Sequence, residues 1–299
     1  MNETSEILIL GPTASGKTGL AVGLARVLGG EILSVDSRQV YRRMDLGSGK
    51  DLATYGAVPC HLIDILDPGQ DFSLYQFLFA CQKTLADLHQ RRVKPILAGG
   101  TGLYLDALLQ GYALTQVDEN LALRQSLASQ TNDELILQLA TLRPLHNSTD
   151  TQDRPRLLRA LEIELGSRQG GPTVQVKLNA QVIGLRLDNE ALRLRIVKRL
   201  KQRLEEGLVE EVRALLASGV SDTWLEGIGL EYRFLVRYIR GELNYNDMQQ
   251  KLASEIYRFA RQQMKWFRRM ERNAVPIHWL DAEREPLEKA LEWIEQRNE

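Results

Sequence analysis

Short apolar runs alternate with segments of helical periodicity in the first third of the chain. Runs typical of buried strands occur at residues 6–10, 31–35 and 95–98, and a further apolar run lies at 61–66. Residues 19–28, 73–91 and 103–109 have the periodicity of amphipathic helices, and Ser73 is a candidate N-cap. Strands that alternate with helices predict an α/β fold with a parallel sheet flanked by helices, whose ligand crevice lies at the carboxyl ends of the strands.

The rest of the chain is predicted to be mainly helical. Between residues 113 and 173 the strand signal disappears and leucines recur at helical spacing, which predicts a small helical insert. Residues 181–187 are predicted to form a return strand to the sheet, before helices at 189–206, 209–217, 224–239 and 247–270. We therefore divide the chain into a core over 1–112, a helical insert over 113–178, and a return strand with a helical C-terminal region over 179–299.

Composition and charge exclude several classes of protein. Lysine and arginine number 38 against 39 aspartates and glutamates, so any attraction for nucleic acid must come from a local patch. Cys60 and Cys81 lack the spacing of a disulfide framework or a zinc site, and we expect buried free thiols. There is no basic and apolar leader at the start, and no apolar run approaches the ~18 residues of a membrane span. We expect a cytoplasmic protein with no membrane partner.

A phosphate-binding motif follows the first predicted strand. The pattern G-x-x-x-x-G-K-[ST] is filled by Gly11, Gly16, Lys17 and Thr18. The glycines permit a tight turn whose backbone N–H groups converge, and the next helix directs its positive dipole end to the same place. Lys17 adds a positive charge, and the Thr18 hydroxyl can ligate Mg²⁺. The core is therefore predicted to be a P-loop-type sheet that binds phosphate or diphosphate through Gly11, Thr13, Ala14, Ser15, Gly16, Lys17 and Thr18.

Two other predicted strands also end in residues that could carry chemistry. Asp36 could act as a general base, as a partner of Mg²⁺ through water, or as the cap of a turn. Residues 99–102 form a second glycine-rich loop that carries one hydroxyl, Thr101, although a plain strand-to-helix turn explains this loop equally well. Because the carboxyl ends of parallel strands share one edge of the sheet, these groups are expected to lie near the phosphate-binding motif.

The last long predicted helix is strongly basic. Residues 251–272 contain two acidic residues and seven basic ones, a local excess of five positive charges: Lys251, Arg258, Arg261, Lys265, Arg268, Arg269 and Arg272. A solvated helix face and a helix that contacts a polyanion explain this excess equally well. The four histidines are scattered and form no metal or catalytic-triad pattern.

Eight short motifs occur in a fixed order along nearly the whole chain. They are GPTASGKT at 11–18, DSRQVYRRMDLGSGK at 36–50, HLIDILDP at 61–68, PILAGGTGLY at 95–104, DRPRLLRALE at 153–162, GLVEEVRAL at 207–215, GIGLEYR at 227–233 and ARQQMKWFR at 260–268. In this order they resemble the motifs of the tRNA dimethylallyltransferases, also called tRNA isopentenyltransferases.

The resemblance implies transfer of a dimethylallyl group from dimethylallyl diphosphate to N6 of the adenosine next to the anticodon of tRNA, with Mg²⁺ as cofactor. It implies that Asp36 accepts a proton from the adenine amino group or orients it, and that Thr101 and one arginine hold the diphosphate. Arg213 is the first choice for that arginine and Arg233 the second. The insert is expected to face the tRNA anticodon stem-loop, and the enzyme is expected to be a monomer. The expected substrate-binding residues are Thr13, Ser37, Gln39, Arg159 and Arg233.

The chain departs from the family pattern in its C-terminal motifs. The usual glycine-tyrosine-lysine-glutamate run is replaced by residues 229–232, Gly-Leu-Glu-Tyr, and a lysine-arginine-glutamine run by residues 261–263, Arg-Gln-Gln. Three alternatives stay open: an adenylate-type isopentenyltransferase that acts on free AMP, ADP or ATP, a small-molecule kinase that uses ATP at residues 11–18, and a non-catalytic tRNA-binding protein, which these departures favour. The phosphate-binding motif and Asp36 are intact.

Overall fold

A sheet of six strands lies at the centre of the computed structural model, which describes residues 6–143, 153–168 and 170–298. In chain order the described strands are β1 (Ile7–Leu10), β2 (Gly30–Val35), β3 (Cys60–His61), β4 (Lys94–Gly99), β5 (Ala113–Thr115), β6 (Thr173–Gln175), β7 (Gln181–Arg186) and β8 (His278–Asp281). The central sheet has the order β3-β2-β4-β1-β7-β8, and every pairing in it is parallel. The predicted α/β fold with a parallel sheet is therefore confirmed.

Thirteen helices occur in the described part of the chain. They are α1 (Lys17–Leu28), α2 (Leu52–Tyr55), α3 (Leu74–Arg91), α4 (Gly102–Gln110), α5 (Leu121–Ser126), α6 (Asn132–Leu142), α7 (Arg154–Ser167), α8 (Asn189–Glu205), α9 (Leu208–Ala217), α10 (Asp222–Ile228), α11 (Leu230–Ile239), α12 (Tyr245–Arg272) and α13 (Pro286–Asn298). Ser73 caps α3 in a capping box with Gln76, and Gly229 separates α10 from α11, as their sequences indicate.

The strands of the central sheet are short and apolar because helices cover them. All four residues of β1 are fully buried, as are Ile32 and Leu33 of β2. A continuous apolar run without alternation is typical of a parallel strand that is buried on both faces. One apolar cluster packs α1 and α13 against the sheet, and a second joins helices α8 to α12. The strand ends that carry the predicted chemistry therefore stand on a rigid support.

The chain divides into two compact units. The larger unit comprises the chain up to Gly111 and from Val176 onward, and it contains the central sheet. The smaller unit spans Tyr112–Gln175, and its helices α5, α6 and α7 bury a leucine-rich core that includes Leu135, Leu139 and Leu161. Residues 144–152 and 169 of the predicted insert lie outside the described residues.

Three strands, β5, β6 and β8, were not predicted from the sequence, and one apolar run forms less strand than its length suggests. The insert begins and ends with β5 and β6, which pair antiparallel over three residues each, a length too short for a periodic signal. The apolar run at 61–66 forms only the two-residue strand β3, because Leu62 (φ 63°) and Asp64 (φ 55°) adopt left-handed backbone conformations that end it. The strand β8 was not predicted, although it pairs with β7 at one edge of the sheet.

The cysteines are free thiols as expected, but only one of the two is fully buried. Cys60 and Cys81 are free thiols, half-buried and buried respectively. No helix among the described residues has both the length and the apolar character needed to cross a bilayer.

Candidate active site

The loop between β1 and α1 has the backbone of a phosphate cradle, the name used here for residues 11–18. Ala14 (φ 62°) and Gly16 (φ 93°) both adopt left-handed conformations, which turn the chain sharply before α1 begins at Lys17. Successive N–H groups in such a turn form an anion-binding concavity. The Lys17 ammonium group donates to the Pro12 carbonyl across the same turn at 2.8 Å. The turn is therefore held by a contact within the loop itself.

Two cations with lowered pKa values face the cradle. Burial lowers the pKa of Lys17 to about 8, with a further contribution from the nearby Arg199 guanidinium. Burial, together with Arg203, lowers the pKa of Arg199 to about 10. Arg199 extends from α8 and donates to the Thr13 hydroxyl at 2.7 Å. Since like charges and burial both oppose ionisation, an anion placed between these two groups would relieve an unfavourable arrangement.

One side-chain amide connects the cradle to the loop after β4. Gln263 of α12 accepts a hydrogen bond from the Thr13 N–H at 2.8 Å and donates to the Gly100 carbonyl at 2.8 Å. This side chain is buried, and a Cβ atom at position 100 would lie 2.5 Å from its Nε2. Glycine is therefore required at 100 for Gln263 to reach both loops.

Asp36 follows β2 and caps the turn that begins the next loop. Its Oδ1 accepts from the backbone N–H groups of Arg38 at 2.9 Å and Gln39 at 3.4 Å. The neighbouring Ser37 N–H donates to the Thr101 hydroxyl at 3.3 Å, which ties this loop to the loop after β4. Asp36 therefore does cap this turn. The two hydrogen bonds fix its carboxylate in place, and they do not exclude a chemical role.

A cavity of about 260 Å³ opens between these loops. Its lining includes the Lys17 and Arg199 cations, the Thr18 hydroxyl and the Asp36 and Asp51 carboxylates. A second cavity of about 210 Å³, called here the side cavity, has a more apolar lining that includes Ile228, Leu230 and Ile256. Both cavities share Thr13, Arg38 and Phe259 in their linings, so they meet at one edge. The larger one is called the cradle cavity below.

The structure brings most of the expected site residues together. Asp36, Gln39 and cradle residues 13, 14 and 16–18 line the cradle cavity, whereas Ser37 and Arg233 line the side cavity. The Gln39 amide is already engaged, since it accepts from the Ser34 hydroxyl at 2.7 Å and donates to the Gly49 carbonyl at 3.0 Å. Its role there is to hold the loop.

Two arginines expected in the site, Arg213 for the diphosphate and Arg159 for the substrate, line neither cavity. Arg213 is exposed on α9, and among the described arginines it is Arg38 and Arg199 that line the cradle cavity. Arg159 belongs to the smaller unit, where it forms an ion pair with Glu162 at 3.1 Å and donates to the Val117 carbonyl at 2.6 Å. Helical phase explains the placement of Arg213, because α9 buries Leu208, Val212 and Leu215 and directs residue 213 outward.

Arg199 and Gln263 were missed by sequence reasoning. Arg199 lies in a helix with several other basic residues, so nothing in the sequence distinguishes it from a solvated cation. Gln263 did carry a signal, because it is the one residue that the run at 261–263 shares with the family pattern.

The cradle cavity offers oxygen ligands of the kind that Mg²⁺ prefers. The Thr18 hydroxyl lines it together with two carboxylates, Asp36 and Asp51. No group of three or more His, Cys, Asp or Glu side chains that could enclose a metal occurs within the described residues. This donor set fits an ion that keeps several waters and takes its remaining ligands from a bound diphosphate, as Mg²⁺ does.

The basic residues of α12 point away from the cradle. All seven are exposed, whereas the aromatic residues between them are not. Phe259 lines both cavities, the Trp266 ring lies 2.7 Å from where a Cβ atom of Gly102 would be, and Phe267 is fully buried. One face of α12 therefore builds the site, and the other presents a row of cations to solvent.

The parallel sheet, the cradle and the adjacent carboxylate define a P-loop-type α/β protein that binds a phosphorylated ligand. A family model described as IPP transferase matches residues 39–270, and another described as isopentenyl transferase matches residues 5–55. The chain therefore belongs to the IPP transferase family, which confirms the resemblance inferred from the motifs.

Individual relatives are similar over nearly their full length. The chain is 56% identical over 286 residues to tRNA dimethylallyltransferase 1 of Hahella chejuensis, covering 95% of this chain and 94% of that protein. The structure matches the tRNA isopentenylpyrophosphate transferase of Bacillus halodurans with a TM-score of 0.70 and 31% identity, covering 98% and 96% of the two chains. A eukaryotic dimethylallyltransferase acting on tRNA has the same fold, with a TM-score of 0.75 at 22% identity, covering 93% of this chain and 74% of that one.

The lowered pKa of Lys17 predicts a pH dependence of anion binding. The ammonium group is cationic below pH 8 and loses its charge above it, so diphosphate affinity should fall by up to about 10-fold per pH unit as the pH rises beyond about 8. Calorimetric titration with inorganic diphosphate measures this. In Lys17→Arg the cation at position 17 does not titrate in this range, so this variant reports the ionisation of the diphosphate and of Arg199 without that of Lys17. Parallel affinity curves for both proteins would contradict the assignment to Lys17.

Proposed function

We propose that this chain transfers a dimethylallyl group from dimethylallyl diphosphate to N6 of the adenosine next to the anticodon of tRNA. The observation that carries the proposal is the lining of the cradle cavity. It combines a carboxylate, Asp36, with two cations that can bind an anion, Lys17 and Arg199. A group transfer to a weakly nucleophilic amine needs both: stabilisation of the departing diphosphate and an acceptor for the proton.

In the proposed reaction N6 of the adenine attacks C1 of the donor while the C1–O bond to diphosphate breaks. The electron pair of that bond leaves with the diphosphate, and the cradle N–H groups, Lys17 and Arg199 stabilise the charge that accumulates there. The amine loses a proton to Asp36, whose Oδ1 is held by the N–H groups of residues 38 and 39, so that Oδ2 is assigned to the acceptor. Thr101 supports this arrangement through its bond to the Ser37 N–H.

We further propose that Mg²⁺ binds at the Thr18 hydroxyl and the diphosphate oxygens. When bound, the ion adds positive charge to the leaving group. Ser15 supports a phosphorylated ligand at this place, because its buried Oγ has no hydrogen-bond partner among the described residues. A buried hydroxyl without a partner is rare in folded proteins and is commonly satisfied by a ligand or a water molecule.

An RNA acceptor is favoured over a free nucleotide by the exposed row of cations on α12. Such a row offers non-specific contacts to phosphates, which a single nucleotide does not need. The target adenine would have to turn out of its stack to reach Asp36. The names of the relatives, which refer to tRNA, also support this acceptor. In this proposal Arg159 and the insert contact the anticodon stem-loop, and Ser37 and Arg233 line the place of the acceptor base.

We propose a cytoplasmic enzyme that acts as a monomer. The cradle, Arg199 and Asp36 of the same chain line one cavity, which supports a donor site that one copy can form. The proposed substrate, tRNA, is found where translation occurs.

An assay of acceptor preference tests the proposed function. Purified protein with labelled dimethylallyl diphosphate and Mg²⁺ should prenylate an anticodon stem-loop that carries consecutive adenosines, and should act on free AMP at least about 100-fold more slowly. Transfer to the stem-loop should also weaken steeply with added salt, since the α12 contacts are electrostatic. A preference for free AMP, ADP or ATP would establish the adenylate-type alternative. Phosphoryl transfer from ATP without prenylation would establish a kinase. Binding of the stem-loop without either reaction would establish a non-catalytic tRNA-binding protein.

The role of Asp36 as proton acceptor predicts a loss of rate without a loss of donor binding. Asp36→Asn should lower the single-turnover rate by about 10²- to 10⁴-fold, because an amide cannot accept the proton. Donor affinity, measured by calorimetry, should change by less than about 2-fold, since the cradle contacts remain. Asp71→Asn, an exposed aspartate outside both cavities, is the matched control. Near-normal turnover of the Asp36 variant would remove this carboxylate from the mechanism.

Substitution of the two candidate arginines, Arg199 and Arg213, should affect donor binding differently. Arg199→Gln should weaken dimethylallyl diphosphate binding by about 10- to 100-fold, the usual effect of losing a charge-assisted hydrogen bond in a partly buried site. Arg213→Gln should change it by less than about 2-fold, because residue 213 is exposed. Donor affinity measured for both variants decides between them. A large loss in Arg213→Gln with a small one in Arg199→Gln would restore the expectation drawn from the family resemblance.

A further inference from the structure

The loop that runs from Asp36 to Lys50 forms one side of the cradle cavity. Residues 36, 38, 39, 48 and 49 all line that cavity, although the loop contains no helix or long strand to hold it. Its two ends are joined to each other by the Gln39 side chain, which donates to the Gly49 carbonyl at 3.0 Å. The position of this loop therefore sets the width of the donor site and the place of Asp36 within it.

Lys50 fixes the far end of the loop from inside. Its side chain is fully buried, and its ammonium group donates to the Tyr41 carbonyl at 2.7 Å and to Asp45 at 2.6 Å. It also forms an ion pair with Asp64. A buried ammonium group with one carbonyl and two carboxylate partners is well compensated, so the loop closes around it instead of remaining solvated.

The middle of the loop is held by a carboxylate from a distant helix. Glu211 of α9 accepts the N–H groups of Asp45 at 2.8 Å, Leu46 at 2.7 Å and Gly47 at 3.0 Å. Three successive N–H groups that converge on one anion form the same kind of concavity that binds phosphate in other loops. In this chain the anion is the protein's own carboxylate. Within the GLVEEVRAL motif, Glu211 is therefore the residue that contacts this loop.

Tyr232 completes this contact. Its hydroxyl donates to Glu211 Oε1 at 3.0 Å, and its ring is fully buried. A Cβ atom at position 47 would lie 2.5 Å from Cζ of that ring, so the ring packs directly on the loop backbone where only glycine fits. The preceding residue, Glu231, accepts from Arg38 of the same loop at 2.8 Å. Both residues belong to the run at 229–232 that departs from the family pattern.

We infer that Glu211 and Tyr232 are positioning residues, which hold the Asp36–Lys50 loop in the geometry needed for prenyl transfer. The inference rests on the proposed function. It also explains the run at 229–232, which departs from the family pattern, because Glu231 and Tyr232 both contact this loop. Lys17 and Thr13 of the cradle, and Arg199 of α8, lie outside the loop, so the donor can bind even when the loop is displaced.

Glu211→Gln and Tyr232→Phe test this inference, with Glu210→Gln as the matched control. Glu210 is the neighbouring glutamate of α9 and is exposed. In Glu211→Gln the amide hydrogen exchange of residues 45–47 should accelerate by at least about 10-fold, while exchange in β1 and α1 stays unchanged. The single-turnover rate should fall by about 10- to 100-fold, the usual cost of displacing reacting groups by about 1 Å. Tyr232→Phe should shift both values in the same direction by a smaller amount, and the control should match the unaltered chain.

Equilibrium binding of dimethylallyl diphosphate distinguishes positioning from mere stability. We expect a full stoichiometry and an affinity within about 3-fold of the unaltered chain for every variant, because the cradle stays intact. Loss of donor-binding stoichiometry in parallel with the rate would show that Glu211 only supports the fold, and it would overturn the inference. A normal rate despite accelerated exchange at 45–47 would overturn it as well. If the unaltered chain transfers no prenyl group, it is the proposed function that fails. The exchange experiment then still reports whether Glu211 holds residues 45–47.

Discussion

The site depends on one constraint: the buried backbone groups of the loops at the strand ends must find hydrogen-bond partners. Short parallel strands leave these loops without a regular ladder, so distant side chains satisfy them. Gln263 accepts from the Thr13 N–H and donates to the Gly100 carbonyl, and Glu211 accepts from the three N–H groups of residues 45–47. Each of these side chains comes from a C-terminal helix. The helices beyond β7 are therefore part of the site itself and not only a cover for the sheet.

Two cations of the cradle cavity favour the binding of an anion. Lys17 and Arg199 both have lowered pKa values because burial and neighbouring cations oppose their ionisation. Elsewhere in the larger unit buried cations are matched by carboxylates, as Lys50 is by Asp45 and Asp64 and as Arg203 is by Asp51. Among the described residues, Lys50 and Arg203 form direct ion pairs and Lys17 and Arg199 do not, which supports the proposal that the first two hold the loops and the last two bind the ligand.

The fold and the centre of the site could be predicted because both rest on local patterns. The cradle is a contiguous motif, and β1, β2 and β4 are apolar runs that end directly before polar groups. What could not be predicted depends on helical phase and long-range pairing. Arg199 and Arg213 look equivalent in the sequence, and only the packing of α8 and α9 turns the first toward the cradle and the second outward. The strands β5, β6 and β8 are three or four residues long, which is too short for a periodic signal.

The bond between Thr13 and Gln263 also bears on how the protein folds during synthesis. The two residues are separated by 250 positions, so nearly the entire chain must leave the ribosome before the first loop acquires the partner of its N–H group. Contacts of such large sequence separation form late, because the loop they close must be ordered first. The phosphate cradle, the first part of the site to be made, is thus among the last to be completed. A nascent chain that ends before α12 can form β1, β2 and β4 but lacks the amide that joins their loops.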